Sequence, residues 1–124
     1  MDHSVTEISG LRVLTCAPEG SVLASESDAL DILNESFGSD VEWILIPATR
    51  LSDDFFRLRT RLAGLFIQKI VNYQLHAAVV GDISHHLEAS AALRDFVREC
   101  NEGGHFWFVD SIDAFEARVR SLPR

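Results

Sequence analysis

Apolar residues along the chain change their period several times, and each change marks an element. Residues 5–8 and 11–16 are short β-prone runs, and the Ser9-Gly10 pair between them is the two-residue link that closes a tight hairpin, so they predict antiparallel strands. Ala17-Pro18-Glu19-Gly20 breaks the second run. Ser25, with Asp28 three residues on, reads as a helix cap with an acid in the first turn and predicts a helix over 26–36. Phe37-Gly38-Ser39-Asp40 is turn chemistry. The apolar run 41–46 is nearly continuous, which suits a strand covered on both faces, and Pro47 stops it because proline has no N–H for the ladder.

Ser52-Asp53-Asp54 then supplies a cap and two acids for the longest helical pattern, predicted over 53–73, with Gly64 bending or thinning it. Residues 75–80 form another buried strand, ended by Gly81-Asp82. Ala92, Leu93, Phe96 and Val97 repeat at helical spacing and predict a helix over 88–100, which Asn101-Glu102-Gly103-Gly104 stops. A short strand over 106–109 follows, and Ser111 caps a last helix whose Ile112, Phe115, Val119 and Leu122 share a face. The order is β-β-α-β-α-β-α-β-α. Strand, helix, strand units on short links demand right-handed crossovers. The expected fold is therefore α/β: a mixed, mostly parallel five-stranded sheet with an N-terminal hairpin and four helices. No repeat, linker or low-complexity run divides residues 1–124, so one domain is expected.

The long helical pattern carries two stripes. Leu62, Ala63, Phe66, Ile67 and Ile70 face the sheet, while Arg61, Gly64, Gln68 and Asn72 fall three and four apart on another side. Glycine in a helix interior costs roughly 1 kcal/mol against alanine, so position 64 implies a close approach. The approaching group is either a ligand or backbone from outside, or the next helix of the same chain, and the sequence leaves both open. An outside contact with a protein partner or with a second copy would use Arg57, Arg61, Gly64, Gln68, Lys69, Asn72 and Tyr73. Trp43 and Trp107 lie in strands and read as core or sheet-face residues. Phe55 and Phe56 point to different sides of their helix, which leaves one of them for the surface.

The composition, 47% hydrophobic and 24% charged over 124 residues, describes a packed globular chain able to bury roughly two-thirds of its unfolded surface. The net charge of −8 repels phosphate backbones and anionic lipids, so neither nucleic acid nor membrane is an expected partner. Eight of the nineteen acids precede Val41, with Arg12 alone to offset them. The charge is not uniform, however. Arg50, Arg57, Arg59, Arg61 and Lys69 fall within twenty residues that hold two acids, Asp53 and Asp54. Cys16 and Cys100 are too few for a disulfide framework, and no basic-then-apolar leader opens the chain, so a cytoplasmic location is expected. No apolar stretch approaches the roughly 20 residues of a membrane span.

Ligands of open parallel sheets bind beyond the carboxyl ends of the strands, where loops meet helix N-termini. That rule selects residues 47–52, 81–86 and 110–111, and makes Arg50, Ser52, Asp82, Ser84 and His85 a candidate ligand edge for a small-molecule or enzymatic site. The plainer role of Ser52, Ser84 and Ser111 is to cap helices or turns. His76, His85, His86 and His105 raise the question of a metal, yet adjacent histidines diverge and His76 lies at the opposite end of its strand from His85, so no metal site is expected. Nor is a cofactor expected, since the glycines at 103 and 104 follow a helix instead of opening one. The chain has no Gly-x-Ser-x-Gly elbow, and neither cysteine neighbours a histidine. No catalytic residue is assigned.

Phe55-Phe56-x-Leu58-x-Thr60, Leu62-Ala63-Gly64, Gln68-Lys69, Asn72-Tyr73, Ala78-Val79-Val80-Gly81-Asp82, Leu93-x-Asp95-Phe96 and Glu99-x-Asn101 together resemble a small bacterial family, domain of unknown function 4180. The resemblance covers about the central and C-terminal two-thirds and implies no biochemical activity. More loosely, the element order is similar to that of STAS domains, the fold of anti-sigma-factor antagonists. In those domains a serine or threonine opening the helix after the third strand is phosphorylated by a partner kinase, and that edge docks the partner. The likeness implies Thr60 as a phosphosite, with Arg57, Arg59 and Arg61 around it, although Arg59-Thr60 stands where STAS domains carry Asp-Ser and Arg61 replaces a glycine. The expected function is a regulatory or binding module that contacts its partner through the long helix.

Overall fold

The computed structural model describes residues 4–16, 22–36 and 40–121. A single five-stranded sheet organises them, with strands in sequential order. Strands β1 (Ser4–Ile8) and β2 (Leu11–Thr15) pair antiparallel. Ser9 and Gly10 between them both take positive φ, 51° and 86°, as the tightest hairpin turns require. β3 (Trp43–Pro47), β4 (His76–Val80) and β5 (Phe106–Val109) then add in parallel. Six helices join or follow them: α1 (Glu26–Ser36), α2 (Asp53–Phe56), α3 (Leu62–Asn72), α4 (Ser84–Ala89), α5 (Ala91–Glu102) and α6 (Ile112–Arg120).

Sequential parallel strands move the chain in one direction across the sheet, so right-handed crossovers must all fall on one face. The packing follows that rule. Ala29, Ile32 and Leu33 of α1, Phe66 and Ile70 of α3, and Leu93 and Val97 of α5 share one core with Ile44, Ile46, Ala77, Val79, Phe106 and Phe108 of the strands. The opposite face is smaller: Val13, Trp43, Leu45, Ala78 and Trp107 are covered by Phe115 and Val119 of α6. Both tryptophans are therefore core residues, and the apolar run of β3 is buried on both faces as its sequence suggests. Full burial of a side chain such as Phe66 stabilises the fold by about 2–3 kcal/mol. Trp107 keeps its polar edge satisfied by donating Nε1–H to the Gly103 carbonyl at 2.8 Å, and the Arg118 guanidinium sits 4.0 Å over its ring.

Local chemistry fixes the helix ends. Ser25 and Asp28 form a reciprocal cap: Ser25 Oγ accepts the Asp28 N–H, and Asp28 Oδ2 accepts the Ala24 N–H at 3.0 Å. Ser52, Ser90 and Ser111 cap α2, α5 and α6 through the N–H groups of Phe55, Leu93 and Ala114. At the end of α3, Leu75 N–H bonds the Ile70 carbonyl and Gln74 N–H bonds that of Val71, a Schellman closure with Gln74 at φ 60°.

Three expectations need correction. The helix expected over 53–73 is not continuous: α2 ends at Phe56, a 3₁₀ turn spans Leu58–Thr60, and α3 begins only after Arg61, whose φ of 64° is left-handed. The longest helix is instead α5, and of the cationic cluster Lys69 alone lies on α3. Next, the helix expected over 88–100 begins at Ala91, because Ser90 caps it there, and the separate helix α4 precedes it. Among the described residues four helices run to seven residues or more, the number expected, and α2 and α4 are two further short ones. Finally, Ile112 is 44% exposed and does not share the buried face of Phe115 and Val119. The break at residues 17–20, most of the turn at 37–40, and Leu122 lie outside the described residues.

Candidate functional site

The segment from Ser52 to Arg61 shapes the surface where the candidate residues gather. Ser52 Oγ donates to the Leu23 carbonyl at 3.1 Å and accepts the Phe55 N–H, which anchors the start of α2. Phe55 and Phe56 are both buried, so neither is left for solvent. Phe55 enters the core beside Phe66 and Phe106. Phe56 packs edge-on against Phe55 and lies flat on His86 of α4, with the Phe56 and His86 ring centroids 4.0 Å apart. His85 adds a third ring, its centroid 4.0 Å from that of His86.

Beyond α2 the chain turns sharply, and Thr60 holds the turn. Its Oγ1 lies 2.6 Å from the Asp54 carbonyl and 2.8 Å from that of Arg57, and accepts the Leu62 N–H at 3.3 Å. The residue is exposed, but its hydroxyl is spent on the backbone, the bonding of a structural threonine. Arg57, Arg59 and Arg61 project from this turn and are all exposed. Arg57 pairs with Asp54 at 3.3 Å, whereas no ion pair joins Arg59 to another described residue.

Two depressions flank the turn. The first, about 510 Å³, runs between α3 and α5 and is lined by Leu58, Arg61, Gly64, Leu65, Gln68 and Phe96. A Cβ placed on Gly64 would meet no atom within 4 Å, which removes packing beneath the next helix as the reason for this glycine. Gln68 and Asn72 extend the exposed stripe, and Tyr73, 48% exposed, lies just past its end. Lys69 faces elsewhere: its Nζ pairs with Glu26 of α1 at 3.0 Å.

The second depression, about 770 Å³, lies beyond the carboxyl ends of β3 and β4, between α2 with its following turn and the α4–α5 junction. Arg57 and Arg59 line one bank, His85 and His86 the other, and Phe56 sits beneath. Burial pushes the His86 imidazole below its ordinary value, and the neighbouring His85 adds to this, while Asp53 opposes.

The candidate ligand edge is brought together only in part. His85 lines this cleft, but Arg50, Ser52, Asp82 and Ser84 do not. Arg50 is buried and 7% exposed. Asp82 accepts the Ser84 N–H at 2.9 Å in a local turn, and the N–H and hydroxyl of Ser84 hold its carboxyl below the usual value. Phe56, Arg59, His86 and Ser90, which the sequence did not assign to a site, also line this cleft. The signal available for them was the Ser90 cap three residues before Leu93, which places a helix start beside the His85-His86 pair. Among the described residues no group of three or more His, Cys, Asp or Glu is placed to hold a metal ion. No helix among them is long and apolar enough to cross a membrane.

A family model described as Domain of unknown function (DUF4180) matches residues 8–119. No curated protein and no solved structure gives a significant match, so the likeness to STAS domains rests on element order.

Proposed function

We propose, for a chain that belongs to the DUF4180 family, a non-enzymatic role as a cytoplasmic binding module that docks an acidic, amphipathic helix of a protein partner along the exposed side of α3. One observation carries the reading: Gly64 stands in a helix interior with open space where its side chain would be. The glycine costs roughly 1 kcal/mol against alanine and gains nothing within its own chain, so its advantage lies in letting another backbone come close. Arg61 supports the same reading, since a non-glycine residue in left-handed backbone is costly and concentrates at functional surfaces. Leu65 and the exposed Val71 supply apolar contact, and Gln68 and Asn72 supply hydrogen bonds, as helix-in-groove recognition requires.

Arg61 selects the partner's charge. It lines the α3 depression and favours acids flanking the docked helix, whereas a two-fold contact with a second copy would bring Arg61 toward its own equivalent. Cys16 and Cys100 are not joined in a disulfide, which suits a reducing compartment.

The test is a photocrosslinking amino acid placed at Gln68, or at Asp113 on α6 as control, in the native host. The expected result is one discrete adduct from position 68, none from 113, and its loss in Gly64→Trp while the circular dichroism spectrum is unchanged. Equal adducts from both positions, or an adduct that survives Gly64→Trp, would overturn the reading. An adduct of twice the chain mass would make the occupant a second copy and overturn the choice of partner.

A further inference from the structure

The cleft between α2 and the α4–α5 junction makes no use of the α3 face, and its chemistry is different. We infer that it binds a small organic anion, with a phosphate or carboxylate held by Arg57 and Arg59 and an attached flat ring laid against the exposed His85 ring, which is backed by His86 and Phe56.

Four features converge on that ligand class. The volume, about 770 Å³, falls in the range of small-molecule sites, roughly 300–1,000 Å³, and is ample for one ring and one anionic group. Two guanidiniums stand on one bank, and no ion pair joins Arg59 to an acid among the described residues. Guanidinium forks match the paired oxygens of carboxylate and phosphate, so a ligand can replace the exposed Asp54 partner of Arg57 with better geometry.

The facing bank is a stack of flat rings. His86 is held between Phe56 and His85, at 4.0 Å from each, so its orientation is fixed before a ligand arrives. A pre-ordered ring surface loses little entropy on binding another ring. The N-terminus of the twelve-residue helix α5 opens into the same cleft through Ser90 and Ala92. Ser90 Oγ occupies the Leu93 N–H, which leaves the first-turn N–H groups of Ala91 and Ala92 without an intrahelical acceptor.

Asp53 also lines the cleft with the arginines. At neutral pH His86, held below its ordinary value by burial, is neutral. Its protonation adds positive charge on the bank facing the arginines. Anion affinity therefore rises as pH falls below the ordinary histidine value.

Phenyl phosphate, inorganic phosphate and phenol are the probes, each titrated into the isotope-labelled full chain and followed by amide chemical shifts. Phenyl phosphate is expected to saturate, moving the amides of Phe56, Arg59, His86, Ala91 and Ala92, and to bind about tenfold or more tightly than either phosphate or phenol. Arg59→Gln should weaken it roughly tenfold or more, the loss of one charge-assisted contact. His86→Phe should keep the ring contribution and flatten the rise in affinity as pH falls below about 6.5. Shifts mapping elsewhere, linear shifts without saturation, or unchanged affinity in Arg59→Gln would overturn the site. Equal affinity for inorganic phosphate would overturn the ring component. Arg59 is exposed, so its variant retains the fold, and its amide spectrum away from the cleft verifies this. Because Gly64 lies outside this cleft, Gly64→Trp leaves phenyl phosphate binding intact, so the two readings fail separately.

Discussion

His86 lies flat against Phe56, the ring planes 14° apart and their centroids 4.0 Å apart, so that α4 is pinned to α2 across the carboxyl edge of the sheet. The contact favours the neutral imidazole, because burial and His85 both penalise the charged form. In the unfolded chain the same histidine takes up a proton more readily, near its ordinary value of about 6.5. Its stabilising contribution is thus present above that value and lost as pH falls through the lower folded value. Thermal melts between about pH 7.5 and 5.5 should show destabilisation on the acid side, with a smaller loss in His86→Phe than in the unaltered chain. An identical loss in both would assign the effect to other groups.

Gly64→Ala should stabilise the isolated chain by about 0.5–1 kcal/mol, since the added methyl meets no atom within 4 Å and removes backbone freedom from the unfolded state. A urea titration reads this as a higher midpoint at unchanged slope. The opposite sign would mean that the helix packs more tightly there than the geometry shows.

Gln74 closes α3 in left-handed backbone at φ 60°, where a Cβ is unfavourable and glycine is at ease. Gln74→Gly should therefore raise stability by about 0.5–1 kcal/mol, measured by the same titration.

Gly81 behaves oppositely. Its φ of 139° is a conformation L side chains rarely adopt, and a Cβ would lie 3.0 Å from that of Ala48. Gly81→Ala should cost roughly 1–3 kcal/mol, seen as a lower urea midpoint.

Burial, helped by Glu99, raises the Cys100 thiol to about 11. At about pH 8 its thiolate is on the order of a hundredfold scarcer than in an ordinary cysteine, near 8.5. Iodoacetamide should label the folded chain at Cys100 slowly and the urea-unfolded chain quickly, with peptide mass spectrometry locating the label.

Where the sequence and the fold agree, the information is local. Ser9-Gly10, the Ser25 and Asp28 cap, Pro47 at the end of β3 and the Ser111 cap each act within a few residues, so hairpin, helix starts and strand end are legible without tertiary knowledge. The apolar runs of β3 and β4 also declare their two-sided burial. The stripe of Gly64, Gln68 and Asn72 was legible for the same reason, because helical spacing alone puts these residues on one side.

The break at residues 57–61 was not legible. Helical propensity there favours continuation, and what wins is a set of contacts made only after folding: Phe55 packs on Phe66 while Phe56 stacks on His86, and the Thr60 hydroxyl closes on two carbonyls. That break separates Lys69 from the other cations and turns Arg57 and Arg59 toward His85 and His86, nearly thirty residues away in sequence. Periodicity and caps therefore determined the elements and their order. The cleft was decided only by tertiary packing, because its two banks come from separate crossovers brought side by side when β3 and β4 pair.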